Sequence, residues 1–486
     1  MAMTTLGSSR PVAADGMPLA GQAANPVPPD PIPSNDPQQG WRDAAGLATA
    51  GSMLVVVALW VAHGGLRDLA TAGPADTLTG LGRITGLISA DLLLVQVLLM
   101  ARIPWVERAY GQDELARRHR LVGFTSFNLM LVHIALITVG YAASARTGIL
   151  TQAWDLVWNY PGMLLATAGS VLLVMVVVSS VRAARRRLRY ESWHLLHLYA
   201  YLGVGLSIPH ELWTGTDFTA TPCARVYWWT IYAAAAGSVL AFRIGLPAWR
   251  TWRHSVVVDQ VVIEAPGVVS LHLRGQAIER MRASAGQFFI WRFLSGPGWS
   301  RGNPYSLSAA PHPRWLRITV KDLGDGSGGL ATVRPGSRVL LEGPYGRLTG
   351  AVRHRRRLTM IASGIGITPI RALLEELDYS SGEAVLIYRA STEAELILRQ
   401  ELDTLATLRG IRTIYLPGRR SASRLSWLPD QFAHIPDDIA LRQIVPDITD
   451  HDVFVCGPDA WMDAVQDAVV AAGVPSGQLH MERFTW

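Results

Sequence analysis

The sequence predicts a six-helix membrane bundle followed by a small β-barrel and an open parallel α/β sheet. Three observations carry that prediction. Six apolar runs of about 20 residues, each long enough to cross a bilayer, fill the first half of the chain. Short valine-rich stretches separated by Gly and Pro follow from about residue 252. From Leu358 strand and helix patterns alternate, which is the rhythm of a parallel sheet. Hydrophobic residues make up 49 % and charged residues only 17 %, as expected of a chain partly in lipid.

Residues 1–40 are rich in Pro, Gly, Ala and Asn and are read as a disordered tail. They lack a charged start before an apolar run, so the first apolar run is read as a mature span rather than a signal peptide. The spans are expected at about 43–62, 82–101, 119–140, 161–181, 191–210 and 226–246. Arginines set their direction. Arg102, Arg108, Arg117 and Arg118 follow the second span. Arg182, Arg185, Arg186, Arg187 and Arg189 follow the fourth, and Arg243, Arg250 and Arg253 the sixth. The other three loops carry Arg67, Arg146 and Arg225. Both termini are therefore expected in the cytoplasm of a multi-pass cell-membrane protein.

The net charge of +6 rests almost wholly on arginine, Lys321 being the sole lysine. Because the arginines cluster at span ends, the charge is read as membrane orientation and not as nucleic-acid binding. Cys223 and Cys456 are the only cysteines. Two cysteines argue against a disulfide framework, a four-cysteine iron–sulfur cluster and a structural zinc site.

Histidines mark the spans. His119 and His133 lie in the third; His194, His197 and His210 lie in the fifth. A lone helical His is usually structural, but several on two spans are costly in lipid unless they serve as ligands. Fourteen residues separate two ligands by roughly 21 Å along a helix, one near each face of a core about 30 Å thick. The depths pair His119 with His197 and His133 with His210, and His194 is an alternative inner ligand. Fourteen residues return to nearly the same helix face, whereas the thirteen between His197 and His210 do not. Pro209 offers the local distortion this needs. Without a c-type attachment motif, any haem is held by side chains alone.

With Trp193-His-Leu-Leu-His197 on the fifth span, these residues resemble the ferric reductase and NADPH oxidase superfamily. The resemblance implies two b-type haems, each held by one His from the third helix and one from the fifth. It makes His119, His133, His197 and His210 the metal ligands. Arg83 is a candidate propionate partner or an interfacial anchor.

In the second half, strands are expected at 254–263, 268–273, 288–293, 315–320 and 338–341. Strands at 358–362, 384–388, 411–416 and 453–456 then alternate with helices at 370–377, 394–408 and 460–472. Asn303-Pro304-Tyr305-Ser306 resembles the flavin motif of the ferredoxin–NADP reductase superfamily, in which the aromatic ring stacks on the flavin and the hydroxyl bonds near its reactive nitrogen. Asn303 stands where those proteins usually carry Arg or His. Val320 and Lys321 end the strand before Gly324-Asp-Gly326-Ser327-Gly-Gly329, which resembles the pyrophosphate turn. Ser363-Gly364-Ile-Gly366-Ile-Thr368-Pro369 resembles the nicotinamide-nucleotide loop, its glycines and helix N-terminus suiting a phosphate. Cys456-Gly457-Pro458 matches the motif beside the nicotinamide, and Gly343-Pro-Tyr-Gly346 the loop joining the two domains. Glu482-Arg-Phe484 matches the C-terminal pattern whose Phe covers the flavin, with Trp486 a second aromatic beyond it. Arg389, together with Arg419 and Arg420 after the next strand, is expected to favour NADPH over NADH through its 2′-phosphate.

The resemblance divides the chain into a tail (1–40), a di-haem bundle (41–250), an FAD-binding barrel (251–350) and an NAD(P)H-binding domain (351–486). It implies electron flow from cytoplasmic NAD(P)H through FAD and two b-type haems to oxygen or a ferric chelate outside. The alternative is a membrane subunit feeding a separate protein partner. A transporter with a degenerate reductase domain is disfavoured by the intact flavin and nucleotide motifs. Phe484 and Cys456 are the catalytic candidates. If Phe484 must leave the flavin before the nicotinamide arrives, Phe484→Ala changes the rate of flavin reduction or the tightness of nucleotide binding without releasing FAD. Stopped-flow reduction beside Trp486→Ala tests this; unchanged rate and affinity in Phe484→Ala would end the gating idea.

Overall fold

The computed structural model describes residues 37–71, 73–181, 190–295, 301–324, 327–421 and 424–483. Gly326, Phe484, Trp486, nearly all of the tail and the arginines of the 182–189 loop lie outside the described residues. The first half holds six long helices: α1 (Pro37–Ala62), α2 (Pro74–Leu99), α3 (Gln112–Ala145), α4 (Met163–Ser180), α5 (Tyr190–Trp213) and α6 (Pro222–Ser238). Helix α6 continues through a π-helical turn, Val239–Gly245, into α7 (Leu246–His254). Among the described residues, five helical stretches are long and apolar enough to cross a membrane: α1, α2, α3, α4 and the α6–α7 run. Helix α5 carries the histidine-rich segment and is not among them.

Most helices overrun the expected spans because their polar ends are also helical. Helix α3 starts at Gln112, seven residues before His119, on a first turn rich in acid that suits a helix N-terminus. Close packing runs from α2 to α3 and from α4 to α5. Ser52 Oγ and Tyr227 OH donate to Asp91 Oδ1 at 2.6 and 2.7 Å, tying α1, α2 and α6 through a fully buried carboxyl.

The strand expected from residue 254 starts later. His254 closes α7, Ser255 turns left-handed at φ 42°, and β1 begins at Val257. Two antiparallel three-stranded sheets follow. One has the order β1-β2-β5 (Val257–Ala265, Val268–Arg274, Trp315–Lys321), the other β4-β3-β6 (Asn303–Ser306, Phe288–Phe293, Val339–Tyr345). Leu271, Leu273, Phe289, Trp291, Leu316 and Ile318 fill the core between them. Gly343-Pro-Tyr345, expected in a connecting loop, is instead the end of β6.

The parallel sheet has the order β11-β10-β7-β8-β9: Leu479–Met481, His451–Cys456, Arg357–Ser363, Ala384–Ala390 and Arg412–Pro417. Helix α8 (Ile367–Glu376) packs against one core and α11 (Asp459–Ala471) against the other. The single helix expected over 394–408 is broken. A turn at Glu393–Glu395 is followed by buried Leu396–Leu398, and α9 (Arg399–Arg409) starts only after Leu398 turns left-handed at φ 58°. These three apolar residues serve the core rather than a helix face. Helix α10 (Asp437–Ile444) was not anticipated.

The halves meet at the short helix Pro104–Tyr110. Arg102 lies 4.3 Å over the Tyr345 ring and donates to Glu107 at 2.7 Å and Gln112 at 2.6 Å. Arg250 donates to the Gly343 carbonyl. Three segments converge on Glu482, which follows β11. Its carboxylate accepts from Leu348 N at 3.2 Å, and Arg347 reaches Tyr110 O at 3.5 Å. Burial pushes the Glu482 carboxyl up to about 8, and Asp113 and Glu107 add to this against the donated backbone bonds. The sign follows. An unfolded Glu ionises near 4.5, so the folded chain holds this proton longer. Stability linked to Glu482 is full below about 4.5 and is lost as pH rises through about 8. Thermal unfolding of the purified chain is expected to weaken across that window, and less steeply in Glu482→Gln; identical slopes would remove Glu482 as the cause.

Candidate functional site

In the bundle the ring nitrogens of three histidines are fixed by neighbouring helices. His133 Nδ1 lies 2.7 Å from Gly82 O and His119 Nδ1 3.2 Å from Gln96 O, both carbonyls on α2. A carbonyl only accepts, so Nδ1 carries the proton and Nε2 keeps its lone pair, as a metal-ligating imidazole requires. On α5, His197 Nδ1 lies 3.3 Å from Ser180 Oγ, and the Trp193 ring lies 5.1 Å from the His197 ring. His210 Nδ1 is buried with no partner among the described residues.

The close approach of α2 rests on Gly86. A Cβ there would lie 2.5 Å from His133 Nδ1, so only glycine admits the ring. The rings of His119 and His197 face each other with centroids 5.9 Å apart. Two imidazoles bound through Nε2 to one metal, with bonds of about 2.0 Å, place their centroids about 6 Å apart. His210 lies within electrostatic range of His133. Among the described residues no group of three or more His, Cys, Asp or Glu could hold a metal ion. Arg83, one of the sequence candidates for a propionate, is engaged elsewhere: its guanidinium grips Asp217 at 2.8 and 2.6 Å.

In the antiparallel unit, β4 presents Asn303, Pro304, Tyr305 and Ser306 beside β3. Trp291 Nε1 donates to Tyr305 O at 3.0 Å and fixes the strand. Burial and nearby Asp322 push the Tyr305 hydroxyl up to about 12, so it stays protonated. Ser306 Oγ is buried and has no partner among the described residues. A buried hydroxyl without a bond is costly, and a polar ligand would satisfy it. Val320 and Lys321 end β5. Beyond them, Asp322 Oδ1 accepts from Gly324 N at 3.0 Å and Ser327 Oγ at 3.2 Å, closing the glycine-rich turn.

The C-terminal ends of β7, β8 and β10 bring Gly364, Arg389 and Cys456 together, where open α/β sheets bind ligands. A Cβ on Gly366 would lie 2.3 Å from Cys456 O, so the loop before Thr368 and Pro369 lies directly on Cys456-Gly457-Pro458. Burial, with Glu482 nearby, drives the Cys456 thiol far above its ordinary value. It is a neutral packing group and not a thiolate nucleophile. Arg389 is buried and donates to Ala390 O at 3.2 Å, while its Nε and second amino nitrogen have no partner among the described residues. Burial, and Arg420 beside it, hold its guanidinium below the usual value. A buried cation in this state fits an anionic ligand group.

The sequence reading passed over Gly82 and Gly86, although their four-residue spacing is the small-residue signature of close helix packing in membranes. It also passed over Gln96 and Ser180, whose roles depend on helices meeting and which no local pattern marks.

Residues 85–208 match the family model of the ferric reductase like transmembrane component, and residues 360–467 that of the oxidoreductase NAD-binding domain. The chain is 31 % identical over 231 residues to the stachydrine N-demethylase reductase subunit of Rhizobium meliloti, covering 46 % of this chain and 64 % of that protein. It is 32 % identical over 210 residues to the ferredoxin reductase component of 3-ketosteroid-9-alpha-monooxygenase from Mycobacterium tuberculosis, covering 42 % of this chain and 56 % of that one. The chain thus spans less than two thirds of the length of these two relatives. Ferredoxin–NADP reductase B of Sorangium cellulosum is 31 % identical over 200 residues, 39 % of this chain and 80 % of that protein. Among solved structures, the FAD/NAD-binding domain of nitric oxide dioxygenase from Vibrio cholerae aligns with a TM-score of 0.39 at 26 % identity, covering 47 % of this chain and 98 % of that one. The chain belongs, through its second half, to the ferredoxin–NADP reductase family of flavin- and NAD(P)H-dependent oxidoreductases, here joined to a ferric-reductase-like transmembrane component.

Proposed function

We propose that the protein carries electrons from cytoplasmic NAD(P)H across the membrane to an acceptor on the outer side, oxygen or a ferric chelate. The facing His119 and His197 rings carry this reading, since they supply two free Nε2 atoms at the end of the bundle nearest the reductase half. His133 and His210 supply the second pair, toward the other end. In this reading α5 is a sixth span, the di-haem bundle covers 41–250, the FAD-binding unit 251–350 and the nucleotide domain 351–486, and both termini are cytoplasmic. Exposed Trp41, Trp105, Trp249 and Trp252 near one end, and Trp154, Trp158 and Trp213 near the other, support two interfacial belts.

When bound, FAD supplies conversion of a hydride into single electrons and two b-type haems supply their passage. The chain's own residues do the rest. Tyr305 stacks on the flavin and Ser306 donates its hydroxyl to it. The Gly324–Ser327 turn, with Gly326 between, offers backbone N–H groups to the pyrophosphate. Gly364, Gly366 and the helix start at Thr368 and Pro369 receive the nucleotide phosphates. Gly457 and Pro458 shape the nicotinamide slot beside Cys456, with Phe484 as its movable cover. Arg389 takes the 2′-phosphate, so NADPH is preferred. A second reading, a membrane subunit feeding a separate protein partner, draws on the relatives named as reductase subunits or components of other enzymes. Oxidation of NADPH by the purified chain with a ferric chelate, or with oxygen, supports the first; turnover that requires an added protein acceptor supports the second.

His133→Leu and His210→Leu are expected to remove one haem while NADPH still reduces the flavin. Full occupancy of both haem sites in these variants overturns the ligand assignment. Arg389→Ala is expected to raise KM for NADPH about tenfold or more and leave that for NADH nearly unchanged. Equal efficiency with both nucleotides before and after the change counts against the 2′-phosphate role.

A further inference from the structure

A partly buried network crosses the boundary between the antiparallel unit and the parallel sheet. Arg317, on β5, is its hub. Its Nε donates to Ser308 Oγ at 3.1 Å and one amino nitrogen to Ser308 O at 2.8 Å. The same guanidinium grips Glu401 of α9 with both amino groups, at 2.8 and 2.9 Å. Arg371 of α8 pairs with the same carboxylate, its Nε 3.1 Å from the Oε2 that also accepts from Arg317. Arg371 also pairs with Glu375, whose carboxylate accepts from Ala310 N at 2.6 Å. Burial pushes the Glu401 carboxyl up, but Arg317 and Arg371 together hold it below the usual range, so it is charged at neutral pH.

The connectivity gives the network its meaning. Ser308 and Ala310 lie two and four residues after Ser306, so both ends of that short segment are fastened. Arg371 and Glu375 stand on the helix that opens at the Gly364–Gly366 loop. Glu401 stands on the first turn of the helix that follows the Arg389 strand end. Resting on the flavin and nucleotide assignments above, we infer that Arg317, Glu401, Arg371 and Glu375 are positioning residues, which set the spacing between the flavin strand and the nucleotide loop for hydride transfer. Charge neutralises charge within the network, and the geometry is bidentate at its centre, which gives direction as well as attraction. A displacement of about 1 Å at a reacting centre costs on the order of a hundredfold in rate.

The test uses the full-length protein with Glu401→Gln, which keeps the side-chain size and removes the charge. Flavin reduction by NADPH is expected to slow about 10- to 100-fold, with FAD content and nucleotide affinity unchanged. The deuterium isotope effect with 4-deuterated NADPH is expected to rise, because hydride transfer becomes more fully rate-limiting; a purely structural role leaves it unmoved. Glu375→Gln, which loosens the Ala310 arm and the Glu375–Arg371 pair but leaves the Arg317–Glu401 grip, is expected to give a smaller loss of the same kind. Normal reduction rates in FAD-loaded Glu401→Gln overturn the inference. So does a loss that tracks missing FAD in both variants, because it reduces the network to a stability element. Failure of the unaltered protein to bind FAD or oxidise NADPH would instead overturn the functional reading on which the inference rests.

Discussion

The bond from His133 Nδ1 to the Gly82 carbonyl, 2.7 Å long, is the contact on which the bundle's arrangement turns. An imidazole at membrane depth has no water to satisfy it, so its ring N–H must find an acceptor in the protein. Helix carbonyls are the acceptors at hand, and reaching one demands that two spans nearly touch. Gly82 and Gly86 provide that approach, since a Cβ at either would collide with α3 side chains. Once the ring is held this way, its free nitrogen points away from α2. His119 repeats the device with Gln96 fourteen residues along α2, so both imidazoles of α3 are anchored by the same neighbouring helix. Helix α5 packs on α4 instead and brings His197 to within 5.9 Å of His119, ring centroid to ring centroid.

The second half docks on the first through α7, which packs on β6, and through one short helix. Pro104–Tyr110 lies between α2 and α3 and touches the end of β6 through Arg102 and Tyr345. Arg102 and Glu107 are both buried, an arrangement that tolerates neither partner alone. The ion pair therefore works as a register mark: it is satisfied in one docking geometry and costly in others. Glu482 adds a contact from the far side of the reductase, so three segments distant in sequence close on one point. Helix α3 begins there and carries His119 two turns later. On the proposed reading, the residues that dock the two halves are also those that set the approach of flavin to the inner histidine pair.

Much of this was legible because membranes and phosphates impose strong local patterns. Apolar length marks the spans, since lipid allows few alternatives. Glycines mark the nucleotide loop, and Gly366 shows why: it lies against the Cys456 carbonyl. What stayed hidden depends on contacts remote in sequence. The grip of Arg83 on Asp217 joins residues far apart in the chain, and spacing alone left Arg83 free for another partner. Leu396–Leu398 read as a helix face because apolar residues near a helical pattern look alike whether they form its stripe or plug the core. His254 read as strand because the valines after it dominate the local pattern, while the bonds that make it helical come from the turn before.

Buried polar groups join elements at some positions and belong to the candidate site at others. Asp91, Arg102 and Arg317 each bond across elements that would otherwise part, although Asp91 Oδ2 and Arg102 Nε have no partner among the described residues. Ser306 Oγ and the outer nitrogens of Arg389 are buried and unbonded among the described residues. Folding alone gains nothing from desolvating a hydroxyl or a guanidinium and leaving it bare. Ser306 and Arg389 lie where a flavin strand and a nucleotide-binding strand end are expected. A polar ligand that bonds the Ser306 hydroxyl and the Arg389 guanidinium would offset that desolvation on binding, so these two residues would contribute to its selection.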